Sequence, residues 1–579
     1  MRSGKDAPLS PRLRLLALAA VVLAAVAAAY LPVLQNGFVN WDDAEAILEN
    51  PRILSLTPAN FRWMFTTLYW GTYQPLGWVV WSLVVKIQGL APMGFHLVSL
   101  LTHLAVCASL FFLTRKLLRL GLPRSEPGQA DLWAALGAAV FGLHPINAEV
   151  VSNASGYADL LAAGFFVTSI HSYLKRFDPG ARPRLWLAVS WSLFALSGLC
   201  RWRGVSLPFV LLVLDAYPLG RFAAAAGKRR EALKAALLEK LPFLAVSLAV
   251  VAINAAGKGL EAGSRLPKLA DAAAGTLFFL QKLALPWGLC PFYPPGAPGT
   301  TLSWPAVTNI GLAVALTAFL ISRWRSWPAA LAVWLQYLMA IAPTLGFFKD
   351  RPMFVYDRYA YCALLGLPVL IAAVFMRLRS AGLSSGGGPV LGSSKSGSAL
   401  GFRPLLAAAL AGGLLMLGWL TRRQVLTWHD PVSLWNHALV AVPGSAVAHT
   451  RLGDALFAGG RGEEALVHFF KALDLSPGHA DLNNRIGSTF FHLGKLKEAM
   501  TRYAMVLDAD PGFSEAHFNM GMALARQGRF GAAADRFRRF LDLQPGHPLG
   551  LRYLEAALAE EARVQAKARA VRPKARRAK

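Results

Sequence analysis

Long apolar runs recur through the first 425 residues and then give way to amphipathic helical periodicity. The runs begin near residues 12, 76, 95, 132, 157, 185, 204, 240, 272, 306, 328, 359 and 404. A single soluble core has no use for that much apolar length, whereas one bilayer-crossing helix needs about 20 apolar residues. The pattern predicts an all-α chain: a polytopic membrane domain over residues 1–424, then a helical array over 428–567.

Positive charges select the topology. If all thirteen runs crossed, Arg115, Lys116, Arg119 and Arg124 would lie outside, against the positive-inside rule. The run at 76–92 is short and broken by Lys86 and Gly89, so it reads as a helix lying on the outer interface. The run at 272–288 carries Gln281 and Lys282, enters the proline-rich segment Cys290–Pro298, and reads the same way. Eleven spans remain, with the N-terminus cytoplasmic and the array outside. Basic segments 115–130, 175–184, 221–240, 323–325 and 377–403 are then cytoplasmic, and 36–94, 145–156, 256–305 and 347–358 face outward. The apolar run Leu15–Leu34 exceeds the roughly 7–15 residues of a cleaved signal core, so it reads as an uncleaved first span. Residues 380–401 are rich in Ser and Gly and read as a flexible cytoplasmic linker.

The array has a period of 34 residues, set by Pro443, Pro477, Pro511 and Pro545. Gly453, Gly487 and Gly521 repeat in step, as do Ala465, Ala499 and Ala533, and Phe469, Tyr503 and Phe537. This is the tetratricopeptide pattern: small residues let paired helices approach, an aromatic fills between them, and proline ends the second helix. Trp435 and Ala438 are in register with the second helix of a half repeat, and a helix over 549–568 closes the end. The basic tail 568–579 reads as disordered.

Composition adds two exclusions. A net charge of +27 suggests nucleic acid in a soluble protein, but here basic residues sit at the ends of apolar runs, so no nucleic-acid partner is inferred. Cys107, Cys200, Cys290 and Cys362 are scattered and form no ligand-like pair, so neither a disulfide framework nor a metal site is expected.

Four outward segments carry the candidate chemistry. The first has Asp42 and Asp43 just beyond the first span, a possible general base with an orienting partner or a helix cap. The second has His144, Glu149 and Asp159, which line a site or cap helix ends. The third has Arg201 and Arg203, whose guanidinium groups suit a phosphate or snorkel to the interface. The fourth has Asp350 with Arg351, then Asp357, Arg358 and Tyr361; Arg358 and Tyr361 share a helical face that suits a lipid phosphate, or Asp357 and Arg358 serve as helix-end and lipid-anchor residues. Acids and arginines on one membrane face suit a lipid-linked phosphosugar, with cations on the departing phosphate and a carboxylate on the acceptor hydroxyl.

The segments GFVNWDDAEAILENPRI, YQPLGWVVWSL, GFHLVSLLTHL, FGLHPINAEVV, LPFVLLVLDAYPL and DRYAYCALLGL, followed by the repeats, resemble the transmembrane and tetratricopeptide-repeat O-mannosyltransferase family and its bacterial relatives. The resemblance runs from about Asn36 to the repeats. It implies a GT-C fold, a polyprenyl-phosphate sugar donor, and transfer, with mannose the expected sugar, to Ser or Thr hydroxyls of envelope proteins. Asp42 would be the base with Asp43 beside it. The array would bind the acceptor or a partner protein, and the location would be a bacterial inner membrane. The chain departs from the family at Arg201-Trp202, where Lys-Glu is usual, and at Tyr157, where an arginine is frequent. Two rival functions are a ligase or polymerase of surface polysaccharide and a non-catalytic scaffold for envelope assembly.

Overall fold

The computed structural model describes residues 10–69, 71–123, 128–223, 228–256, 265–293, 304–344, 356–384 and 397–576. Asp350, Arg351 and the middle of the Ser/Gly-rich segment, 385–396, lie outside the described residues. Among the described residues the regular elements are helices, and the chain divides into two compact units, Met1–Asp430 and Pro431–Lys579.

The first unit contains α1 (Pro11–Tyr30), α2 (Pro58–Thr66), α3 (Pro75–Gln88), α4 (Pro92–Gly121), α5 (Gln129–Gly142), α6 (Ala148–Ser152), α7 (Tyr157–Lys175) and α8 (Pro183–Cys200). It continues with α9 (Leu207–Ala216), α10 (Arg229–Ala256), α11 (Arg265–Ala284), α12 (Trp304–Ser322), α13 (Pro328–Ile341), α14 (Ala360–Ala363), α15 (Leu367–Ser384) and α16 (Gly397–Leu426). Proline opens many of them, supplying a preset φ where no N–H is needed. Five described segments are long and apolar enough to cross a bilayer: Pro11–Gln35, Pro92–Gly121, Arg229–Ala256, Asp357–Leu378 and Leu405–Leu426. A sixth, Gln129–Gly142 with Pro145–Ser152, is bent by 52° at His144. The chain is therefore a multi-pass membrane protein. The run expected from residue 76 is a helix of 14 residues, and that from 204 is a helix of 10 behind a short 3-10 turn, Trp202–Ser206.

Small residues set the packing of the spans. Ala134, Ala135, Ala138 and Ala139 of α5 are buried against α1, α4 and α15, and a Cβ on Gly137 would lie 2.3 Å from the carbonyl of Pro368. Close backbone approach of this kind replaces the hydrophobic drive that lipid does not supply. At the other end of the bundle, the loop after α1 folds over α3: Ile47, Ile53, Met64, Trp78, Trp81, Phe95 and Tyr157 form one buried cluster.

The second unit is the predicted solenoid: α17 (Pro431–Ala441), then the pairs α18 (Ala446–Ala458) with α19 (Gly462–Leu475), α20 (Ala480–His492) with α21 (Leu496–Ala509), and α22 (Ser514–Arg526) with α23 (Phe530–Leu543). The last helix, α24 (Pro548–Arg576), runs past the residue-568 end expected for it. The periodic glycines are required by contact. A Cβ on Gly453, Gly487 or Gly521 would come within 2.6, 2.6 or 2.7 Å of the ring of Phe469, Tyr503 or Phe537.

Candidate functional site

The helix ends that flank the loops expected to face outward gather in one place: the loop after α1, the α5–α7 connection, the α8–α9 turn and the start of α14. Each contributes charge. Asp42, with a side chain 40% exposed, accepts from Arg358 Nη1 at 2.6 Å across 316 residues of sequence. Glu149, 2% exposed, accepts the backbone N–H of Arg358 at 2.9 Å and lies 3.5 Å from its Nε. Asp159, on the first turn of α7, is buried between two guanidinium groups, Arg201 Nε at 3.3 Å and Arg203 Nη1 at 2.6 Å. Arg201 also donates to the side-chain oxygen of Gln74, and Arg203 lies 4.3 Å from the ring centre of Tyr359. Buried ions are tolerated only when paired in this way.

The pairing is incomplete. Arg203 Nε and Arg358 Nε are buried and have no hydrogen-bond partner among the described residues. A buried donor left unmade costs about 1–3 kcal/mol, so such atoms at a site point to an absent acceptor.

Asp43 does something different from its neighbour. Its carboxylate is fully buried and accepts the backbone N–H of Val39 at 3.1 Å and that of Ser155 at 2.9 Å. It latches the first loop to the α6–α7 turn. Burial pushes its carboxyl up to about 7, opposed by these two N–H donors.

Two expected site residues are engaged elsewhere. His144 accepts the N–H of Ile146 through Nδ1 at 3.2 Å, and its Nε2 lies 3.0 Å from the carbonyl of Leu283. Both ring nitrogens serve the backbone at the bend, as the capping alternative requires. Tyr361 bonds His103 Nδ1 at 2.8 Å and packs on Phe141, between helices, rather than joining Arg358. Arg358 lies in a 3-10 turn over Asp357–Tyr359 and Tyr361 in the short α14 that begins at Ala360, and the two find different partners, Asp42 and Glu149 for the arginine and His103 for the tyrosine.

Sequence reasoning overlooked Gln74 and Tyr359, and gave Asp357 only a helix-end role. Asp357 is buried and accepts from the hydroxyl of Tyr293 at 3.0 Å. A polar residue immediately before the helix-opening Pro75 was the available signal for Gln74. Tyr157 is buried beside Trp81, 6.2 Å between ring centres, and contributes aromatic packing. Among the described residues no three His, Cys, Asp or Glu side chains converge as metal ligands.

Comparison with known proteins supports the resemblance. A tetratricopeptide repeat family model matches residues 450–512 and 484–548. Protein O-mannosyl-transferase Tmtc3 of Drosophila melanogaster is 26% identical over 544 residues, 82% of this chain and 56% of that protein. Protein O-mannosyl-transferase Tmtc2 of the same organism is 34% identical over 202 residues, 32% of this chain and 20% of that protein. The chain thus spans little more than half the length of the first relative and about a fifth of the second. A crystal structure of MamA protein is similar over 23% of this chain and 72% of that one, at 16% identity and a TM-score of 0.22.

Proposed function

We propose that the chain is a membrane glycosyltransferase of GT-C type that moves a sugar, mannose by its resemblance, from a polyprenyl-phosphate donor to Ser or Thr hydroxyls of proteins on the outer side. One observation carries the donor reading: buried guanidinium N–H groups of Arg203 and Arg358 without acceptors, beside the half-exposed carboxylate of Asp42. A phosphate supplies acceptor oxygens for both arginines, and Arg201 adds a third positive charge held by Asp159 and Gln74.

In the reaction the acceptor oxygen attacks the anomeric carbon from the face opposite the phosphate. The carbon–oxygen bond to the phosphate breaks, with inversion, and polyprenyl phosphate leaves with the bonding pair. Asp42 Oδ takes the hydroxyl proton, and the arginines stabilise the charge gathering on the phosphate. Donor phosphate drawing on Arg358 releases Asp42 from its ion pair, which couples donor binding to a free base. Glu149 and Asp159 hold the arginines in place, while Asp43 and His144 hold the loops. Tetratricopeptide units mediate protein contact, and here the array takes the acceptor or a partner that delivers it. The positive-inside rule puts the N-terminus inside and the array outside.

A scaffold has no use for unmet buried donors in a charged cluster, and neither rival function gains a specific observation. The deciding experiment reconstitutes the full chain with radiolabelled polyprenyl-phosphate mannose and extracytoplasmic proteins as acceptors. Label on Ser or Thr is expected. Label in a polymer would favour the polysaccharide enzymes, and no transfer from any polyprenyl-phosphate sugar would favour the scaffold.

A further inference from the structure

Arg203 and Arg358 keep unmet N–H groups in a buried cluster, and the rings beside them account for it. A guanidinium can be compensated through its edge, where each N–H needs an oxygen, or through its face, where an aromatic ring meets the charge and consumes no donor. Arg201 is held by its edge, on Asp159 and Gln74. Arg203 and Arg358 also present a face to a ring. The guanidinium carbon of Arg358 stands 4.7 Å from the centre of the Tyr356 ring, and that of Arg203 stands 4.3 Å from the centre of the Tyr359 ring. Both tyrosines are buried, and their rings meet edge to face with centres 4.9 Å apart. They flank Arg358 in the chain, and the N–H of Tyr359 donates to the carbonyl of Tyr356 at 2.9 Å, so one turn sets both rings. Attraction between a cation and a ring is strongest where water is excluded, as it is here.

We infer that Tyr356 and Tyr359 are positioning residues for the donor: they hold Arg358 and Arg203 by the face, so that Nε of each stays open to a phosphate. This rests on the function proposed above. Without the rings, each guanidinium gains by turning Nε onto the carboxylate already beside it, Glu149 for Arg358 and Asp159 for Arg203. A phosphate must then undo that bond before it binds, and affinity falls by what the rearrangement costs. Once bound, the phosphate oxygens hold the guanidinium edges themselves. The loss of a ring therefore raises KM for the lipid donor and leaves kcat near the parental value. The effect belongs to the ring and not to the hydroxyl: phenylalanine supplies the same face, and leucine supplies none.

The test uses the full chain in lipid nanodiscs and equilibrium binding of radiolabelled polyprenyl phosphate, which reports the site without sugar transfer. Tyr356→Leu and Tyr359→Leu are each expected to raise Kd about tenfold. Tyr356→Phe and Tyr359→Phe are expected to recover most of that affinity. Progressively fluorinated phenylalanines at position 359 keep the shape of the ring while draining its quadrupole, so Kd should climb with each added fluorine. That series replaces the leucine variants if they do not fold, and simple packing would leave it flat. A Kd indifferent to fluorination, phenylalanine variants as weak as the leucine ones, or folded leucine variants with parental Kd would overturn the role of the rings. A parent that binds polyprenyl phosphate with the fluorine dependence but transfers no sugar would overturn the proposed function and leave the rings in their role. Sugar transfer with a donor KM indifferent to fluorination would do the reverse.

Discussion

Asp42 and Asp43 are adjacent acids with opposite surroundings, and one pair of amide substitutions separates them. Asp42→Asn removes a half-exposed partner of Arg358, which keeps Glu149. An ion pair this exposed is worth about 0.2–1 kcal/mol, so the thermal midpoint of the purified protein should scarcely move. If Asp42 takes the acceptor proton, transfer falls roughly 10²–10⁴-fold. Asp43→Asn acts the other way. The buried amide keeps one oxygen for the N–H of Val39 or Ser155 and turns its own N–H₂ toward the other. At least one buried donor loses its acceptor, at a cost of about 1–3 kcal/mol. The expected outcome is a midpoint lower by several degrees, with transfer per folded molecule within about threefold of the parent, since 0.65 kcal/mol is threefold. Thermal unfolding in detergent and initial rates from radiolabelled donor read the two quantities independently. Asp42→Asn that transfers at the parental rate refutes the base assignment. Asp43→Asn that keeps full stability refutes the latch.

The remaining expectations are as direct. Because the folded carboxyl of Asp43 is raised from 3.8 to about 7, the folded state binds the extra proton between those values, and stability falls as pH rises through that window and is flat above it. The stability gap between the parent and Asp43→Asn should therefore narrow from pH 5.5 to 7.5, and a gap that widens contradicts the assignment. Arg201→Ala should lose donor use while the protein stays inserted, with Arg201→Lys recovering part of it, because the charge survives without the fork that reaches both Asp159 and Gln74; undiminished donor use by Arg201→Ala would return that side chain to an interfacial role. In a background without the four native cysteines, Ala480→Cys should react with an impermeant thiol reagent in intact cells and Arg182→Cys should not; protection at position 480 would refute the external array.

The repeat unit was legible almost residue by residue, because its contacts are local: a glycine on one helix and an aromatic on the next recur every 34 positions. The membrane unit was legible as helices and charges but not as a site. Asp42 meets Arg358 through a fold whose contacts span 316 residues, and no periodicity encodes that meeting. Arg358 and Tyr361 looked like neighbours because three residues make nearly one helical turn, but spacing does not name partners: Arg358 meets Asp42 and Glu149, and Tyr361 meets His103. His144 was ambiguous in sequence because a capping histidine and a site histidine require the same residue before Pro145.

The charge cluster has an order of manufacture. Translation delivers its acids first, Asp42, Asp43, Glu149 and Asp159, and its cations later, Arg201 and Arg203 and finally Arg358. Until the ribosome passes that last arginine, Glu149 has neither its side-chain nor its main-chain partner from the Asp357–Tyr359 turn. A nascent chain with the nine expected spans before α14 already inserted therefore carries an uncompensated carboxylate destined for a dry interior, and water must remain around it. Closure of the outer face is postponed until α14 and α15 arrive, so chains interrupted before residue 356 should be open, hydrated and readily cleared by membrane proteases.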